Sequence, residues 1–388
     1  MPKETERLYA VIAACHTVSS NVSPIFDLFE KNETDALLSF SAFHGILPLL
    51  YQHVKHFYPD TPLCRTLKEH YRYIVHRNMQ LASKLIALHR VSSSLGISPL
   101  YIKGAVLAQL AYGDITLRRF GDIDLFIRKE DFDALASWLI SEGFEPYFDI
   151  RRYKGNVLFE LNNDIPFYHK QKGIAVEVHW DFFKKLALPT RKLEPWKDTT
   201  TVTINRTPIP TLKHETHLLY HSLHGSKHLW ERLLWIVDID RFIRAVPNLD
   251  WDEILTKASA LKAKRMFLLG PALAHRYFDT PLPKRILQEI QTARLEPFMH
   301  IVENILKSPD AHTLNSLDKL RFILKLKDTP VAKIKTLFEF LFKPGINERR
   351  MIVLPEKLFW LYWVVRPFGA AYRFVSCRLF NRCNESGA

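Results

Sequence analysis

Three short runs of this 388-residue chain hold residues whose types and spacing can do chemistry. In LRRFGDIDLFIR, Asp122 and Asp124 flank Ile123 just after Gly121. Residues i and i+2 of a strand project to one face. The two carboxylates therefore lie together, while Ile123 and Leu125 point the other way. Carboxylates so close repel each other unless a cation lies between them. One or two Mg²⁺ ions, which take carboxylate and phosphate oxygens, would suit such a pair. In IAVEVHWDFF, Glu177, His179 and Asp181 share one face, with Val176, Val178 and Trp180 on the other. A strand placed beside the first would complete a cluster of Asp122, Asp124 and Glu177. In YIKGAVLAQL, Lys103 and Gly104 fall at a strand-to-helix turn. A glycine there lets backbone approach a phosphate, and the helix start offers free N–H groups. Alone, each run has a plainer reading: a solvated strand end, an edge strand with a polar outer face, an ordinary helix start.

A fourth run, HETHLLYHSLHGSKH, spaces His214, His217, His221, His224 and His228 by three and four. On one continuous helix all five share a face. His214-Glu215-Thr216-His217 is one residue short of H-E-x-x-H, so a zinc-protease site fails on spacing. A histidine-bound metal stays open, as does a polar face packed on a sheet. The expectation taken forward is that this face closes over a nucleotide, with Gly225 interrupting the helix before His228.

The elements that must position these residues follow from periodicity. Residues 1–96 repeat apolar positions at three and four, which predicts helices, with Gly96 as a stop. Residues 97–205 change pattern. ISPLYIKG and DIDLFIR predict strands, KEDFDALASWLISEGF a helix, and NVLFELNN, IPFYHKQ and IAVEVHWDFF three further strands. Residues 206–330 return to helical spacing, and 331–388 form a basic, aromatic-rich helical tail. The predicted class is α+β, a small mixed sheet flanked by helical regions on both sides.

Taken in order, these pieces resemble a bacterial family of mostly uncharacterised nucleotidyltransferases within the DNA polymerase β-like superfamily. The shared pattern runs from AFHGILPLLY through IKGAVLAQLAYGD, RRFGDIDLFI and VEVHW to HSLHGSKHLWERLLWIVDI, about residues 40 to 260. The resemblance implies a nucleotidyltransferase fold, with Asp122 and Asp124 as metal ligands and Glu177 as the third carboxylate. It implies that Lys103 and Gly104 hold triphosphate, with Arg118 and Arg119 as phosphate contacts. His179, His221, His224, Lys227 and Asp238 join the nucleotide-binding set, the last four as a second tier with no role attached. The implied cofactor is Mg²⁺ or Mn²⁺, and the substrate an NTP, with ATP the first choice. Two metals about 3.5–4 Å apart would activate an acceptor hydroxyl and stabilise departing pyrophosphate. One departure stands out: Gly104-Ala105 replaces the wider superfamily's Gly-Ser, so no serine hydroxyl is there for a phosphate.

The bulk composition agrees with such a substrate. Lys and Arg number 54 against 41 Asp and Glu, a net charge of +13 that suits anionic partners. Four scattered cysteines lack metal or disulfide spacing, which predicts a reduced, cytoplasmic protein. The N-terminus is a poor signal peptide, and no apolar run is long enough to span a bilayer. From Val331 onward basic residues outnumber acidic ones ten to four, among bulky aromatics. That tail can pack on the domain, lie on a membrane surface or dock a protein. The expected function is transfer of an NMP from an NTP to a hydroxyl or phosphate of an unidentified small molecule, peptide or protein acceptor. The alternative is a catalytically silent nucleotide- or RNA-binding regulator of the same fold. A nucleic-acid enzyme ranks lower, because the sheet region has no basic stripe interleaved with stacking aromatics.

Overall fold

The computed structural model describes residues 2–15, 34–150, 157–183, 188–307, 316–344, 358 and 360–369. Among the described residues, four helices precede the first strand: α1 (Pro2–Cys15), α2 (Thr34–Phe43), α3 (Leu47–Phe57) and α4 (Pro62–Ser94). The start of α4 is dictated locally. Thr61 accepts a hydrogen bond from the Cys64 N–H, and Pro62 supplies a pre-set helical φ. Its end is the predicted one: Gly96, at φ +74°, turns the chain out of the helix.

The sheet region follows: β1 (Leu100–Tyr101), α5 (Gly104–Tyr112), β2 (Asp122–Phe126), α6 (Phe132–Ser141), β3 (Glu145–Pro146), α7 (Val157–Leu161), β4 (Asp164–His169) and β5 (Ile174–His179). The five strands form one mixed sheet in the order β1-β2-β5-β4-β3. Only β2 and β5 run parallel. A separate hairpin pairs β6 (Thr199–Ile204) with β7 (Thr207–Leu212). The helical region comprises α8 (His214–Lys227), α9 (Leu233–Ala245), α10 (Trp251–Ala260), α11 (Lys264–Phe278), α12 (Lys284–Ala293), α13 (Glu296–Lys307), α14 (Ser316–Leu326) and α15 (Pro330–Phe342). Residues 361–369 are also helical. The fold is α+β, a small mixed sheet between helices, as the periodicity predicts.

Strand alternation gives the sheet two different faces. Ile123, Leu125, Val176 and Val178 enter a core with Leu85, Val106 and Leu135. Phe126, from the opposite face of β2, enters a second core with Phe182, Leu218, Leu219 and Trp230 of the helical region. The same face of β2 carries Asp122 and Asp124. Burial of each large aliphatic side chain is worth about 1.5–3 kcal/mol. A one-residue slip of β2 would exchange Ile123 and Leu125 for carboxylates in the core, so the register is strongly specified.

The structure corrects three sequence expectations. NVLFELNN is not a strand: Val157–Leu161 is one short helix. A run this short cannot distinguish the two periods. The helical turn sets the Phe159 ring edge-on to both Phe132 and Trp180. Second, the hairpin was not foreseen, although TTTVTI and TPIPTL alternate around Asn205-Arg206. Both turn residues have positive φ, 44° and 62°, as a two-residue turn that continues the strand twist requires. Third, Gly225 does not interrupt α8, which runs on to Lys227. A Cβ at Gly225 would lie 2.5 Å from the Trp230 ring. The glycine makes room for Trp230, whose N–H caps the helix on the Gly225 carbonyl at 2.8 Å.

Among the described residues no helix is long and apolar enough to cross a membrane. In the basic tail, residues 345–357, 359 and 370–388 lie outside the described residues, and with them Cys377 and Cys383.

Candidate functional site

The site is built where β1 and β2 run antiparallel beside β5. Ladder pairing sets Tyr101 opposite Leu125. The end of β1 therefore delivers Lys103 to the start of β2, where the carboxylates lie. On the other side, parallel pairing places Asp124 opposite Glu177 and Phe126 opposite His179. Three separate stretches of sequence meet on the sheet face turned toward the helices.

Gly104 has a steric reason to be there. Its φ is +54°, and a Cβ would lie 3.3 Å from the Asp122 carbonyl oxygen. Both facts favour glycine, because only an unsubstituted Cα turns left-handed at no cost. The turn swings the Lys103 ammonium onto Asp124 Oδ1 at 2.6 Å. His179 Nε2 approaches the same oxygen at 3.1 Å and Glu177 Oε2 at 3.3 Å. The other oxygen, Asp124 Oδ2, is buried and makes no hydrogen bond among the described residues.

The charges in this cluster are strongly coupled. Asp124, then burial, then Glu177 push the Asp122 carboxyl up to about 7. Burial would also raise Asp124, but Lys103 and His179 hold it well below the usual carboxylate range. Burial opposes the charge on Lys103, yet Asp124, backed by Tyr220, Glu177 and Asp122, holds its ammonium well above the usual range. Burial likewise opposes charge on His179, and hydrogen bonds to Asp124 and Glu177 raise it to about 9.

Ligand atoms of Asp124, Glu177 and His179 all lie within 4.8 Å of one another, close enough for one cation. Asp122, on the same strand face, adds a carboxylate at the mouth. Two observations fit a divalent cation here: the orphaned Asp124 Oδ2, and an Asp122 carboxyl raised first by its Asp124 neighbour and then by burial. Oxygen-rich donors of this kind suit Mg²⁺ or Mn²⁺. The set brought together includes His179, which had been expected to touch nucleotide rather than metal.

Arg118 and Asp238, expected as separate nucleotide contacts, bind each other. Arg118 Nε and Nη2 donate to the two Asp238 oxygens at 2.8 and 2.9 Å. The Tyr112 hydroxyl donates to Asp238 Oδ1 at 2.8 Å. All of this is buried at the junction of α5 and α9. Arg119 is exposed and donates to the Ala42 carbonyl, on the side of the N-terminal helices. Asp181, expected on the same face, lies beyond the end of β5 and accepts the Thr190 hydroxyl.

The histidines of α8 form an ordered chain. The Thr211 hydroxyl donates to the Tyr101 carbonyl at 2.6 Å, so it must accept from His217 Nε2 at 3.0 Å. Burial, then the His214 charge, lowers His217 to about 3. The ring is neutral, and its Nδ1 accepts from His221 Nε2 at 3.0 Å. Burial, followed by His217, Arg118 and Lys103, pulls His221 well below its usual range. The chain therefore leaves His221 neutral with an unshared pair on Nδ1. Tyr220 and Trp235 hold the His224 ring, stacked and edge-on respectively. Lys103, Arg118, His221, His224, Trp235 and Asp238 line a small cleft of about 20 Å³, roughly the room for one water. Lys227 lies one turn further along α8, near enough to His224 to act on its charge.

Thr211, Tyr112, Tyr220 and Trp235 were not among the residues expected from sequence, and His217 was expected only as a member of the histidine face. Trp235 was visible in the W-x-x-D pattern with Asp238. Thr211 could have been found only through the alternation of β7.

A family profile described as uncharacterised nucleotidyltransferase matches residues 30–279. Among solved structures, the chain is similar to an antigenic nucleotidyltransferase-like protein from Paracoccidioides brasiliensis. The match has 18% identity and a TM-score of 0.33, covering 54% of this chain and 96% of that one. None of the curated proteins compared matches this chain.

Proposed function

This chain belongs to the uncharacterised nucleotidyltransferase family, and from that premise we propose that it moves an NMP from an NTP, ATP first among them, to an acceptor hydroxyl or phosphate. The observation that carries the reading is the register of β2 against β5. It sets Asp124 beside Glu177 with one carboxylate oxygen buried and unpartnered. Membership of the DNA polymerase β-like superfamily is part of the proposal, supported by the ordered motifs and the mixed sheet.

In the reaction a bond forms between the acceptor oxygen and the α-phosphorus. The bond from that phosphorus to the bridging oxygen breaks, and pyrophosphate leaves. Asp122, Asp124 and Glu177, with His179 beside them, would hold a divalent cation such as Mg²⁺. Bound there, it would supply charge stabilisation at the α-phosphate and acidify a nearby hydroxyl. Lys103, freed from Asp124 by a cation, would neutralise phosphate oxygens, which offsets the missing serine at Ala105. Glu177, the third carboxylate, takes up the acceptor's proton. The Arg118–Asp238 pair holds α5 against α9 and so fixes the distance between the carboxylates and the histidine face.

The test is to incubate the protein with labelled NTPs, Mg²⁺ and a lysate, measuring pyrophosphate release and identifying what carries the label. Release that persists in Asp122→Asn/Asp124→Asn would overturn the assignment. One observation favours the second reading, a catalytically silent nucleotide- or RNA-binding regulator: the Lys103 ammonium already occupies Asp124 Oδ1. Nucleotide binding without pyrophosphate release would establish that alternative.

A further inference from the structure

A second feature lies outside the site, on α15 and the helical residues 361–369. Val331, Ile334, Phe338 and Leu341 follow one another at spacings of three, four and three, which places them on one helical face. Their side chains point to solvent: Val331 is 75% exposed, Ile334 69% and Phe338 51%. Trp360, Trp363, Val364 and Phe368 extend the exposed apolar surface, with Phe368 at 73%. The Phe338 ring lies 4.9 Å from Phe342 and 6.0 Å from Trp363. Between the two helices these rings line a groove whose walls are wholly apolar. Large contiguous patches of this kind are rare on the free surface of a soluble monomer.

The charges on α15 are mostly positive. Lys333 and Lys335 are exposed on α15. Glu339 is the one carboxylate on this helix, and it is flanked by Lys343 at 3.1 Å and Lys335 at 4.0 Å. On α15 and its C-cap this leaves the balance positive, with Lys333, Lys335 and Lys343 against Glu339. Lysines can lay their stems along apolar surface while keeping the ammonium in water. A helix of 13 residues is about 20 Å long, too short to cross a bilayer and suited to lying in its surface. A protein-binding groove would be expected to carry polar anchors within and around its walls, and this one is lined by none.

We propose that this face binds the surface of an anionic phospholipid bilayer, with Phe338, Trp363 and Phe368 inserted among the headgroups and Lys333 and Lys335 against the lipid charge. This binding is independent of nucleotidyl transfer and would hold the catalytic face beside a membrane.

The test is flotation of the full chain with vesicles of phosphatidylcholine alone and of phosphatidylcholine mixed with phosphatidylglycerol. The expected result is recovery with the mixed vesicles, falling as salt is added. Phe338→Ser/Trp363→Ser/Phe368→Ser should weaken it by at least ~10-fold, because it removes three interfacial aromatic anchors. Lys333→Glu should weaken binding to the mixed vesicles by a few-fold at low salt, where each cation near the lipid surface counts most. Thermal melting of both variants at the wild-type temperature shows that the fold is intact, since the altered residues are exposed. Failure of the wild-type chain to float with either vesicle overturns the proposal. So does flotation unchanged in the triple variant with its fold intact. A concentration-dependent dimer that is lost in the triple variant, with no flotation of the wild type, also overturns it and makes the face a contact between copies.

Discussion

Two buried polar regions face each other across the junction of sheet and helices, and they are built on opposite principles. In the carboxylate cluster, Asp122, Asp124 and Glu177 crowd together, and Asp124 Oδ2 has no partner among the described residues. In the Arg118–Asp238–Tyr112 group both Asp238 oxygens accept hydrogen bonds, and in the histidine chain His217 is bonded at both ring nitrogens. An unsatisfied buried polar atom costs about 1–3 kcal/mol. The first region carries that cost and the second does not. A region that keeps such strain is a candidate for chemistry, and one that closes its hydrogen bonds serves as scaffold.

The largest expected effect tests that division at the site. Asp122→Asn/Asp124→Asn should lower NTP turnover by at least ~10³-fold, the loss of several kcal/mol of charge stabilisation. Asp122→Asn alone should leave the denaturation midpoint unchanged or raised, because it relieves repulsion from Asp124. A single variant that loses activity and stability together would erase the contrast. The reverse pattern is expected on the scaffold. Asp238→Ala strands the buried Arg118 charge and should cost about 3–5 kcal/mol of unfolding free energy, measured by urea titration.

Acid should separate the two regions by sign. His217, with a folded value near 3, and His221, also lowered, take up protons more readily when unfolded. Their contribution is complete above about pH 6.5 and falls as pH drops from there, for His217 down to about 3, by up to ~1.4 kcal/mol per unit for each. Asp122 acts the other way. Its carboxyl, raised to about 7, binds a proton in the folded chain first and so adds stability as pH falls from 7 toward 4. Two histidines outweigh one acid, so the urea midpoint should drop between pH 7 and 5.5. Asp122→Asn should steepen that drop, and His217→Gln should make it shallower. An equal slope in both variants would show that the two regions do not titrate as described.

The smallest effect is at the turn that joins them. Gly104→Ala places a Cβ at φ +54°, 3.3 Å from the Asp122 carbonyl. It should cost about 1–2 kcal/mol. It should also raise the KM for NTP, because Lys103 is displaced with the turn. A lower melting temperature with an unchanged KM would separate the glycine from phosphate binding.

Much of the sheet was legible because strand patterns are local. The alternation of β2 predicted a shared face for Asp122 and Asp124, and that of β5 did so for Glu177 and His179. Val157–Leu161 was not legible, since a five-residue run with four apolar positions fits either period. The hairpin was legible in principle, through alternation on both sides of Asn205-Arg206. The role of Gly225 was not, because its reason is a tryptophan five residues on that folds back over it.

By itself, the sequence determined which strand residues share a face, where α4 stops, and which runs carry carboxylates at strand spacing. These follow from backbone geometry and the burial of alternate side chains, which act over a few residues. Only the tertiary structure decided that Asp124 meets Glu177 through a parallel ladder. It also decided that Arg118 is closed by an aspartate 120 positions away and that a threonine sets the tautomers of His217 and His221. Those outcomes depend on pairing between distant strands and helices. Electrostatic partners are chosen there by proximity after packing, and no local period encodes that choice.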